Sequence, residues 1–166
     1  MNCKETFSDI VAVWPLPKGF ISYDIPFNVR KREYMLSELK LNDNSAIDSL
    51  FHYSISDDNI GTGVVELEEQ ESTLKSTSTQ TVAGIAFDVV ISLIIKENSS
   101  MARRLGEQLE NNCHDFIVKS ADSGLLLVRA EDYAYECQTD EEFDVEYTLR
   151  HTIKIQNVNG IIRLTT

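Results

Sequence analysis

The feature that most constrains the fold of this chain is a fourteen-residue segment, residues 82–95, in which apolar side chains alternate with mixed ones. The odd-numbered positions carry no polar residue, whereas the even-numbered positions are smaller and include Asp88 and Ser92. The apolar positions are Ala83, Ile85, Phe87, Val89, Ile91, Leu93 and Ile95. A period of two is typical of a β-strand with one face fully buried. At about 3.3 Å per residue the segment would extend roughly 46 Å, so we predict an unusually long strand.

Two other structures fit this segment less well. Its β-branched residues and strict alternation disfavour a helix. A membrane-spanning helix needs about 20 apolar residues, and Asp88 would lie in the middle of this shorter segment. The N-terminus has no apolar segment of signal-peptide length either. We therefore predict a protein that is made in the cytoplasm without a signal peptide and does not associate with a membrane.

The residues before this strand predict a long hairpin. Residues 64–74 have strand character, and residues 76–80 form a polar connector. Because an isolated two-stranded ribbon is marginally stable in water, we expect the projecting hairpin to lie against a neighbouring subunit. The predicted subunit-interface residues are Val65, Leu67, Glu69, Glu71, Leu74, Thr81, Ala83 and Ile85. The predicted acidic residues of the surface or lumen are Glu66, Glu68, Glu141, Glu142 and Asp144.

The first third of the chain is less regular. Residues 5–14 read as a strand that Pro15 and Pro17 end. Residues 28–59 read as a long irregular region, which is either an arm that docks on a neighbour or a loop packed on its own domain.

One helix is predicted at about residues 99–111. Met101, Leu105 and Leu109 recur at the spacing of one helical face, so the helix should be amphipathic and packed on a sheet. Gly106 should weaken it by about 1 kcal/mol relative to alanine.

The remaining residues read as antiparallel strands. The predicted elements are a hairpin at 116–128 that turns at 122–124, a short strand at 133–137, an acidic solvated loop at 131–146, a long strand at 145–155 and a final hairpin turning at Asn159-Gly160. The fold class is therefore mainly β (α+β), an antiparallel β-sandwich or partly closed barrel with a long projecting hairpin and one packed helix. Residues 1–59 would form an N-terminal strand and irregular arm and residues 60–166 the β-sandwich, together as one compact domain.

The charge of the chain limits its partners. Fifteen basic and 27 acidic residues give a net charge of −12, and residues 57–166 carry −11 of it, with nine basic against 20 acidic residues. Such a domain is a poor candidate for specific nucleic-acid binding, which needs clustered Lys and Arg. The acidity could keep the protein soluble, repel or mimic nucleic acid, or meet a basic partner.

No motif predicts a catalytic, metal or cofactor site. The imidazoles are His52, His114 and His151, and the thiols are Cys3, Cys113 and Cys137. We expect reduced thiols, because no two cysteines are closely spaced, and no zinc site, because four ligands at recognisable spacings are missing. His151 lies on the apolar face of its strand and should be a packed, hydrogen-bonded residue rather than a base. Whether Cys113, His114, Cys137 and His151 come together in space is open.

The order of the elements resembles that of bacteriophage tail-tube and related tail or neck proteins: a long hairpin, one helix and then antiparallel strands. Glu68-Glu69-Gln70-Glu71, the strand end Ile94-Ile95-Lys96-Glu97-Asn98 and the turn Asp122-Ser123-Gly124 are similar to small virion proteins of phages and prophages of gut Bacteroides-type bacteria. The resemblance covers residues 60–166, and residues 1–59 lie outside it.

The resemblance implies a non-enzymatic virion protein that forms homo-oligomeric rings around a DNA-conducting lumen, with other tail or neck proteins as partners. Tube, tail terminator and neck ring all remain open. Two other classes of function are compatible with the sequence. One is an acidic inhibitor that mimics nucleic acid, which would need carboxylates spaced like phosphates along one face. The other is a small β-sandwich enzyme or ligand-binding module, which would need a pocket with converging polar groups.

Overall fold

The computed structural model describes residues 4–7, 10–22, 33–41, 65–66, 71–82, 84–96, 100–121, 124–130, 134–143 and 145–165. These residues form antiparallel sheets that pack on one another without closing into a barrel, together with one α-helix. The predicted mainly-β sandwich with one helix is therefore confirmed.

The first sheet, sheet A, is antiparallel throughout. Its strands, in spatial order, are β1 (Lys4–Phe7), β7 (Thr73–Thr81), β8 (Gly84–Ile95), β12 (Tyr147–Asn157) and β11 (Ala134–Phe143). The long strand predicted from the alternation is β8, which pairs along most of its length with β7 and β12.

The second sheet, sheet B, packs against sheet A. Its strands, in spatial order, are β4 (Glu33–Met35), β13 (Ile161–Thr165), β10 (Gly124–Val128), β9 (His114–Ser120), β2 (Ile10–Pro17) and β6 (Val65–Glu66). Among the described strands, β4 and β13 are the pair that is parallel. A two-stranded sheet of β3 (Ile21–Ser22) and β5 (Lys40–Leu41) completes the described strands.

The main core lies between the two sheets. Phe87, Val89, Ile91 and Leu93 of β8 pack with Phe116 and Val118 of β9, Leu126 and Val128 of β10, and Ile153 and Ile155 of β12. A second cluster covers the other face of sheet B, where Trp14, Ile117, Leu127 and Ile162 pack under Ile21, Tyr34, Leu39 and Leu41. Because sheet B is covered on both faces, its strands read as continuous apolar runs rather than alternating ones.

The helix α1 (Ser100–Asn111) has the predicted bounds. Ala102, Leu105 and Leu109 are buried, and the last two join the main core beside β11. Gly106 lies where the helix meets the sheet. A Cβ atom there would be 2.7 Å from Cε1 of His151 and 3.1 Å from Oγ1 of Thr139. The expectation that Gly106 weakens the helix relative to alanine considers the isolated helix only; in the folded protein a Cβ atom at this position would have to displace the His151 ring.

The hairpin has different bounds from those predicted. Its strands are β7 and β8, and residues 76–80 belong to β7 rather than to a connector. Leu74, Ser76 and Ser78 alternate as buried residues of β7, so its Ser/Thr-rich sequence forms a strand with one face on the core. The strand predicted at 64–74 does not form as one piece, because Val65–Glu66 pairs with β2 in sheet B.

The predicted acidic loop at 131–146 is wrong over most of its length. β11 is a ten-residue strand, all of which pairs with β12 from Phe143↔Tyr147 to Ala134↔Gln156. Tyr135, Cys137 and Thr139 alternate as half-buried residues on its inner face. The carboxylates occupy the exposed positions of an edge strand, where charge is tolerated and opposes edge-to-edge aggregation.

Asn159-Gly160 does not form the predicted hairpin. Both sides of β12 are already occupied, by β8 and β11, so the returning strand β13 cannot pair with β12 and enters sheet B instead. Asn157 stabilises the crossing: its Oδ1 accepts a hydrogen bond from Gly160 N at 2.6 Å, and its Nδ2 donates to Arg129 O at 3.0 Å.

The predicted N-terminal strand is two strands in different sheets, β1 in sheet A and β2 in sheet B. Pro15 does not end β2, but the strand does end at Pro17, and the two prolines pair in register with Phe116 and His114 of β9. Because Pro15 and Pro17 are two residues apart, the N–H donors that they lack belong to the same edge of β2. In the described part of the chain, the neighbour of β2 on the side opposite β9 is β6, which pairs only with Ala12 and Val13. The prolines therefore remove no hydrogen bond between β2 and β6.

Candidate functional site

An open groove of about 290 Å³ lies between α1 and the β11 edge of sheet A. Its walls and floor are formed by Arg103, Gly106, Glu107, Glu110, Thr139, Glu141 and Leu149. The polar groups converge, but they already contact one another. Glu141 Oε2 lies 3.8 Å from Arg103 Nη2 and accepts a hydrogen bond from the Tyr147 hydroxyl at 3.4 Å. The groove is slightly smaller than typical ligand pockets of about 300–1,000 Å³ and is much more polar.

His151 lies beneath this groove and is fully buried. Its Nδ1 is 3.0 Å from Oγ1 of Thr139, which confirms the prediction of a packed, hydrogen-bonded imidazole. Burial lowers the pKa of His151 to about 4, against the opposing effects of Glu110 and the Ala102 backbone. A histidine with this pKa is neutral at pH 7 and is a weak general base. We therefore interpret the Thr139–His151 hydrogen bond as a structural contact rather than as an activated nucleophile.

Three of the four residues left open by the sequence lie in one region, around Tyr135. The rings of His114 and Tyr135 are 6.5 Å apart, and the thiols of Cys137 and Cys113 both lie close enough to raise the pKa of the Tyr135 hydroxyl, which burial raises most. His151 lies further along the sheet, opposite Thr139.

These groups are poorly suited to thiol or metal chemistry. Burial raises the pKa of the Cys137 thiol to about 12, which keeps the thiol protonated. Burial also lowers the pKa of His114, whose Nδ1 donates to Asn112 O at 2.7 Å. Within the described ranges no three His, Cys, Asp or Glu side chains lie together as metal ligands would.

The hairpin of β7 and β8 extends past β12. β12 stops pairing with β8 at Asn157↔Phe87, and within the described residues β1 pairs with β7 as far as Lys4↔Thr77. We call residues 78–86 the hairpin tip. Its two strands pair with each other up to Thr81↔Gly84, so the tip extends past Phe87 by about 10 Å, three residues at about 3.3 Å each. Val82 is fully exposed and Ile85 is 46% exposed.

The structure separates the residues that the sequence assigned to the hairpin interface. Ile85 lies on the tip and Thr81 ends β7, whereas Leu74 is fully buried in the chain's own core. Glu71 is bound to Lys96, with 2.6 Å between Oε1 and Nζ. Val65 belongs to sheet B. Leu67, Glu69 and Ala83 lie outside the described residues.

The predicted acidic residues are likewise dispersed. Glu141 and Glu142 are exposed on β11, and Glu66 belongs to β6. Glu68 and Asp144 lie outside the described residues. On the outer face of β11, two carboxylates lie opposite basic residues of β12: Asp140 is in register with Arg150, and Glu136 is in register with Lys154. Cross-strand pairs of opposite charge do not favour a continuous row of phosphate-like carboxylates.

Sequence reasoning missed a second exposed apolar end of sheet A. We call Phe143, Val145 and Tyr147 the β11–β12 end. Phe143 is 74% exposed, Val145 is fully exposed, and the rings of Phe143 and Tyr147 meet edge to face at 5.3 Å. The alternation of Tyr135, Cys137 and Thr139 could have indicated that strand β11 continues to this end, but the acidic residues around it favoured the prediction of a loop.

In comparisons with known proteins, no protein-family model, curated protein or solved structure matches this chain. Among the described residues, no helix combines the length and apolar character that crossing a membrane requires.

Proposed function

We propose that this chain is a non-enzymatic structural protein that assembles as a homo-oligomeric ring, in the tail or neck of a phage or prophage particle. The observation that carries the proposal is the hairpin tip, which extends past β12 with Val82 and Ile85 exposed. Apolar side chains on a projecting ribbon are unfavourable in water and are expected to be covered by a partner. The phage context rests on the order of hairpin, helix and antiparallel strands.

The chemistry of the buried groups supports a structural role. The neutral His151 and the protonated Cys137 are poor bases and nucleophiles, and the carboxylates of the α1 groove contact Arg103 and Tyr147. With a net charge of −12, a lumen lined by this protein would let DNA pass without binding it. The partners that follow are further copies of the chain and other tail or neck proteins, and the place of action is the virion.

The first test is the mass of the assembled protein. Multi-angle light scattering after size-exclusion chromatography, from micromolar to millimolar concentration, should show growth beyond the 18.8 kDa monomer. Negative-stain images of the same samples should show rings or tubes with a central hole. A protein that remains monomeric at every concentration, with no rings on the grid, contradicts the proposal.

A shortened hairpin tests the role of the tip without disturbing the core. Residues 80–85 are replaced by Asn-Gly, which joins Thr79 to Ala86 by a two-residue turn. The Thr79↔Ala86 pair lies two residues along the strands from Thr81↔Gly84, the pair next to the present turn. Hydrogen-bonded and non-hydrogen-bonded pairs alternate along antiparallel strands, so the two pairs are of the same kind. We expect a folded protein by circular dichroism that has lost assembly. Met35→Lys is the matched control, because Met35 is 52% exposed and lies on β4 in sheet B.

A further inference from the structure

The exposed apolar residues of this protein are not scattered. The large apolar side chains that are exposed in the described part of the chain are Met35, Val82, Ile85, Phe143 and Val145. Four of these five lie at the ends of sheet A, two on the hairpin tip and two at the β11–β12 end. Single exposed apolar residues are ordinary, but clusters at defined places mark interaction surfaces.

The two clusters lie at opposite ends of the same sheet. β8 and β12 are antiparallel, and their pairing runs from Asn157↔Phe87, next to the tip, to Leu149↔Ile95, next to the β11–β12 end. β8 alone has twelve residues, so the two ends are separated by about 40 Å at about 3.3 Å per residue.

Both clusters continue the core-facing side of sheet A. Ile85 follows the alternation of the buried Phe87 and Val89, and Phe143 is in register with Tyr147, two residues before the buried Leu149. Strands β8, β11 and β12 have ten to twelve residues, whereas the longest strand of sheet B, β2, has eight. The inner face of sheet A is therefore longer than the sheet that covers it, and apolar residues remain uncovered at each end.

Charge decides which ends can meet. Residues 78–87, which include the tip, contain no charged side chain in a chain of net charge −12. The β11–β12 end is flanked by Glu141, Glu142 and Glu146. Two β11–β12 ends brought together would place carboxylates against carboxylates, which is unfavourable. Two tips brought together would leave Phe143 and Val145 exposed. Only tip against β11–β12 end covers all four apolar residues without like-charge contact.

We infer that copies of this chain associate head to tail, with the hairpin tip of one copy on the β11–β12 end of the next. This inference rests on the proposed function and specifies its subunit contact. A head-to-tail contact uses two different surfaces of each copy, so it generates a closed ring or an open filament rather than a dimer. Four side chains are a small contact compared with the roughly 800 Å² per partner of a standard interface, so assembly requires high concentration or ring closure.

A mixing experiment tests the contact directly. Ile85→Asp disables the tip, because its carboxylate would face the acidic flank of the β11–β12 end. Phe143→Lys disables the β11–β12 end, and Met35→Lys is the control at an exposed apolar residue away from both ends. Each of the first two variants should raise the concentration needed for assembly at least about tenfold, while Met35→Lys should assemble like the unaltered protein. Circular dichroism and thermal unfolding establish that all three are folded.

Mixing the two disabled variants should produce a complex that neither forms alone. The Phe143→Lys protein retains an intact tip, and the Ile85→Asp protein retains an intact β11–β12 end, so one junction can form and growth then stops. Native mass spectrometry of the equimolar mixture should give a 1:1 heterodimer. A Phe143→Lys protein that still forms homodimers would instead indicate tip-to-tip contact and overturn the inference.

The two proposals fail in different ways. If the unaltered protein assembles and both the Ile85→Asp and the Phe143→Lys variants assemble equally well, the head-to-tail contact is wrong, but the structural function stands. If the unaltered protein stays monomeric throughout the concentration series, both are wrong.

Discussion

Gly106 of α1 lies against the ring of His151 in sheet A. A Cβ atom on residue 106 would be only 2.7 Å from the imidazole Cε1, so the absence of a side chain lets α1 lie directly on β12. In an exposed helix, alanine would be favoured over glycine by about 1 kcal/mol. Here the propensity of the residue and its packing have opposite effects on stability, and the packing is expected to dominate.

Gly106→Ala should therefore destabilise the protein, by about 1–3 kcal/mol in the free energy of unfolding, because the helix must shift away from His151. Urea unfolding of the two proteins gives the difference. A double-mutant cycle with His151→Ala serves as the control: once the imidazole is removed, the cost of Gly106→Ala should shrink or reverse sign. A stabilising effect in the unaltered background would show that the helix moves without cost.

The depressed pKa of His151 links stability to pH. In the folded state the ring stays neutral down to pH of about 4, whereas in the unfolded state it takes up a proton near pH 6.5. Above pH 6.5 both states are neutral and His151 has no pH-dependent effect. As the pH falls from 6.5 to 4, the unfolded state binds more protons, so the folded state loses stability relative to it.

His151→Gln should remove this dependence, because glutamine can still hydrogen-bond to Thr139 but does not titrate. We expect the unaltered protein to lose about 2 kcal/mol more stability than the variant between pH 7 and pH 5. The measurement is urea unfolding at both pH values. Each protein carries the same carboxylates and the same His114, so their contributions cancel in the comparison. Equal losses in the two proteins would refute a depressed pKa at His151.

At the scale of elements, the turn after β12 determines how the two sheets are connected. Asn157 is fully buried and bonds the backbone at two points, Gly160 N and Arg129 O. Gly160 adopts a φ of +66° and packs against Phe87, where a Cβ atom would approach the ring to 2.8 Å. The side chain of Asn157 thus substitutes for a neighbouring strand at the point where the chain leaves sheet A for sheet B.

Asn157→Ala should cost about 2–4 kcal/mol, because it removes the hydrogen bonds that the buried Asn157 side chain makes to Gly160 N and Arg129 O. Chemical denaturation measures the loss. Gln156→Ala is the matched control on the neighbouring residue, whose side chain makes one long hydrogen bond of 3.5 Å to Asp88, and it should change stability by less than about 0.5 kcal/mol. Similar effects at the two positions would argue against a special role for the Asn157 contacts.

Periodicity was sufficient to predict elements but not their partners. The alternation in β8 and β12 and the 3.6-residue spacing of Leu105 and Leu109 are local signals, and the corresponding strands and helix form. Strand pairing depends on distant residues. Asn159-Gly160 is a local turn signal, yet the hairpin is prevented because β11 and β8, a strand from a distant part of the chain, already occupy the two sides of β12.

The candidate surfaces were predictable only in part. The hairpin tip follows from the length of the apolar segment, and Ile85 was identified on it. The β11–β12 end was missed because acidic residues surround Phe143 and Val145 in the sequence. In the fold those carboxylates occupy exposed positions along β11, and the two apolar residues remain at its end. The average composition of a segment does not show which of its side chains lie on which face of a strand.

At the scale of the whole molecule, net charge and apolar ends have opposite effects on self-association. Each copy carries −12, which repels every other copy at long range, while the ends of sheet A attract at short range. The repulsion depends on salt, because the Debye length falls from about 10 Å at 0.1 M to about 3 Å at 1 M. Apolar contact is not weakened by this screening. The balance between the two therefore makes ionic strength a diagnostic variable.

Raising sodium chloride from 0.1 M to 1 M should increase the assembled fraction at fixed protein concentration, because it screens the repulsion between copies and leaves the apolar contact intact. Light scattering after size-exclusion chromatography measures the fraction. If salt instead dissociates the assembly, ion pairs between basic residues and the acidic flank of the β11–β12 end hold the copies together. The variant with residues 80–85 replaced by Asn-Gly separates specific assembly from salting-out: it has the same net charge, since the removed residues are uncharged, and should remain monomeric at both salt concentrations.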